Sequence, residues 1–384
     1  MPYEVIIGNM TYGSSVLSDI SMSTSIGDFG LKGVATRCLT FRLYDVLGGL
    51  TFSKGESVEL VVNSMSFMLA HIDDVSRDGN VLSITAYDRC SRLDEEYDMT
   101  GKAQYQTDQT TGELDKARPC WWAVSQIVGE IRAQCGFTGV TFSPQRVYKS
   151  STDRPSSQAA GAFLCYNDLN GKTCRQILDE ISATECGYFC SSNGGSLDFE
   201  TFSPPRSGQS ITDDHTEICL QGDKQIMGTY ATAGISGEER SAGSSPDARV
   251  DISSRYMTAD NFTAASSQVM SGGSWTMCGW NVDKVADSNG GLSYELGGTI
   301  AAEGQYLRIC SIRKDFRSEV IVSMSAPKPD TATRYMTKAE RERKQGIYLG
   351  MISGDAVMIS RSGGMEAVPN KTAEKAAPVS GGGA

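Results

Sequence analysis

From residue 57 to residue 93 the chain alternates apolar and polar side chains around one tight-turn signal, and few folds satisfy that pattern. Val58, Leu60 and Val62 share one side; further on, Met68, Ala70 and Ile72 lie opposite Phe67, Leu69 and His71. Successive strand residues point to opposite faces, so the stretch reads as a half-buried antiparallel sheet. Asp78-Gly79 can supply the two positive φ angles of a type I′ hairpin. Leu82, Ile84 and Ala86 return on a single side, and Ala86-Tyr87-Asp88-Arg89 leads away. A turn of fixed length pins the register of such a pair.

The remaining composition agrees with a β protein. Of 384 residues 39% are hydrophobic and 41 are Gly, which favours loop-rich sheets in two or three domains over a helical bundle. A net charge of −11 argues against binding nucleic acid by phosphate neutralisation, and an acidic surface lets a polyanion pass without sticking. Eleven cysteines include no C-x-x-C pair, and His71 and His215 are the only histidines, so a zinc site has little support. The odd cysteine count and the absence of a basic leader at Met1-Pro2-Tyr3-Glu4 predict reduced thiols in a protein made in a cytosol. No apolar run reaches the length of a membrane span. No cofactor, metal or membrane is expected.

Along the chain, residues 3–7 and 37–44 read as strands, with residues 14–33 as a Ser/Gly-rich loop. Residues 123–135 carry a helical stripe of Val124, Ile127, Val128, Ile131 and Cys135, stopped by Gly136. A second helix begins at Thr173, with Gln176 in capping-box position, and continues through Cys174, Ile177, Leu178 and Ile181 to a stop at Gly187. A hairpin is expected at Asn193-Gly194 and an exposed loop over 148–161. Strands return at 218–220, 228–233, 274–282 and 318–324, with a mobile loop over 238–247, while 249–262 fits neither period. After Pro327 and Pro329, residues 337–344 form a polar helix, 347–359 a hairpin around Gly354-Asp355, and 371–384 a disordered tail.

Catalytic constellations are weak. Asp213-Asp214-His215 is the foremost acid–base candidate, but it sits in a polar turn where Asp is common. Asp73-Asp74 and Asp94-Glu95-Glu96 read as solvated acids, and no glycine pair completes a phosphate-binding motif. Arg308, Arg313, Lys314 and Arg317 form a basic cluster, read either as a grip on an acidic partner or as a strand edge protected against aggregation. Trp121-Trp122 reads as a core anchor. No catalytic, cofactor or metal residue is assigned.

The succession of parts carries a resemblance. A β-rich start ends in Ile84-Thr85-Ala86-Tyr87-Asp88-Arg89; an insert follows around Thr173-Cys174-Arg175-Gln176-Ile177-Leu178 and Glu185-Cys186-Gly187-Tyr188; a second β-rich region comes last. Over residues 1–325 this resembles the baseplate-hub family of phage tails and contractile injection systems. The resemblance implies a mainly β fold with two tail-tube-like β-barrel domains, a small α+β domain and a short C-terminal extension. The boundaries are a first barrel over 1–95, completed by strands from 200–235, an insert over 96–204, a second barrel over 205–325 and the extension over 326–384. It further implies a homotrimeric ring that joins a six-fold tail tube to a three-fold spike around a lumen that DNA crosses without specific binding. The partners would be itself, a tail tube or distal-tail protein, a spike protein and a tape-measure protein, in a virion tail or tail-like particle assembled in a bacterial cytoplasm. Residues 337–359 would contact the spike or a neighbour. The extension is too short for an appended lysozyme or peptidase, so no enzyme is expected. The alternatives are a distal-tail or tube-initiator component and a tail-associated cell-wall hydrolase or peptidase.

Overall fold

The computed structural model describes residues 3–148, 161–211, 217–233, 237–244 and 248–329, and two strands nearer the C-terminus. Residues Met1–Tyr335 form one compact unit. Its frame is an open sheet of eleven strands. The first seven are β1 (Tyr3–Ile7), β2 (Met10–Gly13), β3 (Leu17–Ser25), β4 (Thr36–Tyr44), β5 (Ser57–Val62), β6 (Met65–Asp78) and β7 (Val81–Tyr87). Four more come from the far end of the unit: β8 (Cys219–Ile226), β9 (Trp275–Asp287), β10 (Ser311–Phe316) and β11 (Val320–Ala326). Their spatial order is β8-β9-β11-β10-β3-β4-β7-β6-β5-β1-β2.

The alternation around β6 and β7 does what it predicts. Met68, Ala70, Ile72, Leu82, Ile84 and Ala86 are all buried. The turn is shifted by one residue, however: Asp78 pairs with Val81, so Gly79-Asn80 forms the loop. Of these two only Gly79 has positive φ, at 57°, the pattern of a type II′ turn with glycine first. A bulge between Ile72 and Asp74 bends the long β6. Its first half pairs with β5 and its second with β7.

The expected loop over 14–33 contains β3, a central strand. A bulge at Asp19, with φ of 52°, breaks the period-two pattern and hides Leu17, Ile20 and Met22 from a reading by alternation. Cys219–Ile226, in the stretch expected to complete the first barrel, pairs instead with β9 at the far end of the sheet. No sheet among the described residues closes on itself.

Two helices make a second core beside the sheet. Helix α1 (Val124–Cys135) buries the stripe read from sequence and ends at Gly136 in the left-handed region. Helix α2 (Cys174–Glu185) starts with a true capping box: Thr173 Oγ1 accepts from Gln176 N at 3.2 Å and Gln176 Oε1 accepts from Thr173 N at 2.9 Å. Cys186, with φ of 55°, ends it, one residue before the expected glycine. The apolar faces of α1 and α2 meet Leu93, Leu164, Phe189 and Leu197 in one cluster.

Other expectations fail locally. Tyr148 is fully buried and donates to Glu185 at 2.9 Å. Glu239–Gly243 is a strand in the expected mobile loop, and the stretch 249–262 that fitted neither period opens with a strand, Arg249–Asp251. Helix α3 (Ala259–Val269), capped by Thr258, follows them. Trp121 and Trp122 lie half-buried on a short strand, and of the two Trp122 packs against the second core. Near the C-terminus Ala356–Ile359 pairs with Met365–Val368, so the hairpin lies beyond Gly354-Asp355. The helix expected at 337–344 and the tail at 371–384 lie outside the described residues, as does Asp213-Asp214-His215.

Candidate assembly interface

The centre of the sheet is the same four-strand module twice. Numbering strands within each module by sequence, β8-β9-β11-β10 reads 1-2-4-3, and β3-β4-β7-β6 reads 1-2-4-3 again. Every neighbouring pair among these eight strands is antiparallel. The modules therefore follow one another in the same direction, joined where strand 3 of one (β10) meets strand 1 of the other (β3). Across that joint Ser311 faces Ser25, Arg313 faces Ser23 and Asp315 faces Ser21.

Short sequence repeats fall at matching places. Asp45-Val46-Leu47-Gly48-Gly49-Leu50 and Asp287-Ser288-Asn289-Gly290-Gly291-Leu292 share D-x-x-G-G-L at the end of strand 2. Val75-Ser76-Arg77-Asp78 matches Ile312-Arg313-Lys314-Asp315 on strand 3, and residues 81–86 (VLSITA) match 321–326 (IVSMSA) on strand 4. The registers coincide, since Arg77 faces Leu82 while Lys314 faces Val322.

The repeated loop has one construction. Asp45 and Asp287, both buried, accept from amides inside their own loops: Gly49 and Leu50 at 2.8 and 2.9 Å, Asn289 and Ser293 at 2.9 and 3.1 Å. Both glycines of each loop have positive φ, at 68° and 128° and at 68° and 86°, which only glycine adopts without strain. Burial raises Asp45, but the Leu50 and Gly49 amides and Arg77 outweigh it and hold the carboxyl below its ordinary value. The strand-3 cation then clamps each loop: Arg77 donates to Asp45 at 2.9 Å and to the Leu50 carbonyl at 2.6 Å, and Lys314 donates to the Gly291 carbonyl.

The two copies of this device differ in cover. Lys314 is 4% exposed, over the Phe67 ring of the first module, whereas the Arg77 side chain is 38% exposed. The difference follows from position, because strand 3 of the second module is sealed by the internal joint and strand 3 of the first is not. Apart from β2 at the end of the sheet, the two modules leave two edges open. One is β8, exposed over most of its length; the other is the far half of β6, where Asp74, Ser76, Arg77 and Asp78 are exposed.

Burial pulls the Lys314 ammonium down to about 8, against the opposing fields of Glu295 and Asp287. A depressed lysine binds less proton when folded than unfolded between about 8 and 10.5, so its contribution to stability rises with pH across that window. Against Lys314→Met, wild type should therefore gain up to about 3 kcal/mol between pH 7.5 and 10.5 in urea unfolding. A difference that stays constant with pH contradicts this burial.

The basic cluster read from sequence is thus split, with Arg308 and Lys314 buried and Arg313 and Arg317 exposed. Arg308 is buried over the Phe202 ring and donates to the Ser203 carbonyl at 2.7 Å, and Arg313 pairs with Asp315 at 2.9 Å. Asp73 pairs with Lys54 at 2.9 Å on the surface, but Asp94 pairs with Arg175 at 2.6 Å in a buried setting. The face of the modules turned from the core carries small hydroxyls among acidic, basic and larger side chains. One row across it runs Ile321, Asp315, Ser21, Thr40, Thr85, Asp74, and the next runs Ser323, Arg313, Ser23, Cys38, Tyr87. Its cations are matched locally, Arg42 with Asp19 at 3.2 Å and Arg313 with Asp315. Among the described residues no three His, Cys, Asp or Glu side chains group to hold a metal, and no helix is long and apolar enough to cross a membrane.

No protein-family model matches the chain, and no curated protein does. Among solved structures it is similar to the 43 kDa tail protein of prophage MuSo2 from Shewanella oneidensis, with 13% identity, coverage of 86% of this chain and 98% of that one, and a TM-score of 0.47. A tail protein from Neisseria meningitidis MC58 is similar with 12% identity, coverage of 85% and 96%, and a TM-score of 0.49. A component of the E. coli type VI secretion system is similar with 9% identity, coverage of 86% and 79%, and a TM-score of 0.42.

Proposed function

We propose that this chain is a structural, non-enzymatic hub of a phage tail or related injection machine, and that three copies close into a ring. The observation that carries the proposal is the 1-2-4-3 strand order met twice in one direction. Two such modules in one chain mimic two subunits of a hexagon. Eight alternating strands also make an even number, so β8 of a following copy meets β6 antiparallel, as β3 meets β10 inside the chain. Each open edge is thereby covered by the other, which removes a pairing liability. A heterologous joint of this kind closes when its rotation divides a circle. Three chains bring twenty-four strands, and barrels of about 22 strands already enclose a wide lumen.

The internal joint fixes the expected pairs. Thr40 faces Ser21 and Thr85, and Asn281 faces Cys219 and Ser325. Cys219 thus stands where Ser21 stands, and Asp78, the counterpart of Asp315, meets it from the preceding copy. By the same mapping Asp74 meets Lys224, a complementary pair.

On this reading residues 1–95 and 205–325 are the tube-like regions, 96–204 the insert and 326–384 an extension, and the hydroxyl face lines a channel that DNA crosses unbound. The ring would bridge a six-fold tube or distal-tail protein to a three-fold spike. Mass in solution and copy number per particle test it: three chains support the hub. Six chains would favour a distal-tail or tube-initiator component, and a monomer at every concentration would overturn the ring.

A further inference from the structure

The two D-x-x-G-G-L loops have equal frames and unequal tips. In the first module the tip is Val46-Leu47, 73% and 97% exposed. In the second, the same two positions hold Ser288-Asn289, also exposed. A lone exposed leucine needs no explanation. Here a valine and a leucine stand together on a turn held by the Asp45 carboxylate and clamped by Arg77, where the sister loop is polar. Because the turn is already ordered, burying its tip against a partner costs little conformational entropy.

The sister loop also says where that partner is not. If the seam between modules covered these tips, Ser288 and Asn289 would be covered at the internal joint, and they are exposed. The tips therefore leave the ring at the end of strand 2, along the strands. In a three-chain ring, six loops of one frame alternate between apolar and polar tips. A partner of six-fold symmetry meets all six alike and would gain nothing from the alternation.

We infer that the Val46-Leu47 tip docks a three-fold protein assembly that offers one apolar socket to each chain; this rests on the trimeric ring proposed above. The probe is p-benzoylphenylalanine placed at Leu47 or at Asn289 in assembled particles, with cross-linked chains identified by mass spectrometry. Position 47 should cross-link to a chain present in three copies, and position 289 should not. Cross-links from 47 to a neighbouring copy of this chain, to a six-copy protein, or to nothing would each overturn the inference. The paired variant Val46→Ser/Leu47→Asn transplants the sister tip. It should still form three-chain rings while partner retention falls at least about a hundredfold, the least that two buried aliphatic side chains are worth. Full retention would overturn the docking site and leave the ring standing. Absence of three-chain rings in wild type would instead overturn the ring, and the inference with it.

Discussion

Oxidised Asp78→Cys protein is expected to run as a covalent trimer on a denaturing gel. Its partner is already present, since Cys219 is a free, exposed thiol on the opposite open edge. The internal counterpart of the contact is Asp315 facing Ser21. Facing residues on antiparallel strands have Cα atoms about 4.5–5.5 Å apart, inside the range a disulfide spans. A mild oxidant such as copper–phenanthroline takes the two electrons as the thiols join. Dimer and then trimer should accumulate and stop there, and Asp78→Cys/Cys219→Ser should give neither. Monomer alone would refute the edge pairing. A ladder running past three would mean that the same joint builds an open filament. High salt should matter little, because an exposed pair such as Asp74 with Lys224 is worth about 1 kcal/mol or less.

The largest loss of stability should come from Arg175→Met. Arg175 lies in the first turn of α2, with a side chain 5% exposed. It donates to Asp94 at 2.6 Å, to the Cys90 carbonyl, and to Thr36 Oγ1 of β4 at 3.3 Å. One guanidinium thus ties the insert, the segment after β7 and the sheet together. The site is already strained electrostatically: burial pushes the neighbouring Asp88 up to about 6, although Arg37 and the Arg37 and Cys90 amides oppose it. Removing Arg175 leaves the Asp94 carboxylate buried without its cation, which costs about 3–5 kcal/mol. Urea unfolding of Arg175→Met, Asp94→Asn and the double variant should show strong coupling, with the double variant recovering part of the loss. Additive losses would mean that the pair does not hold the insert in place.

Sequence reading reached the elements whose signals are local. The α1 stripe ending at Gly136, the Thr173–Gln176 box and the alternation of β6 and β7 are each written within a dozen or so residues, and each appears in the structure. It missed β3 because one left-handed residue, Asp19, shifts the faces of the strand and breaks the count. Lys314 stands among basic neighbours in the sequence, yet its alternation with Ile312 and Phe316 turns it inward. The duplicated module went unread for another reason. Its shared segments are only four to six residues long and stand about 240 positions apart, with the insert between them. Its clearest trace in the sequence is the repeated D-x-x-G-G-L. No sheet among the described residues closes on itself, so the barrel closure implied by the resemblance has no counterpart within the chain.

If three chains close into the proposed ring, the serines and threonines on this face bear on how it would handle a moving polymer. A serine or threonine can donate or accept by rotating one bond, so water bound there exchanges partners without leaving. Cations already neutralised by adjacent aspartates give a phosphate chain nowhere to settle. Motion past such a wall meets a nearly flat energy profile, so transit speed would be set by the driving pressure and hardly by the nucleotide sequence passing through.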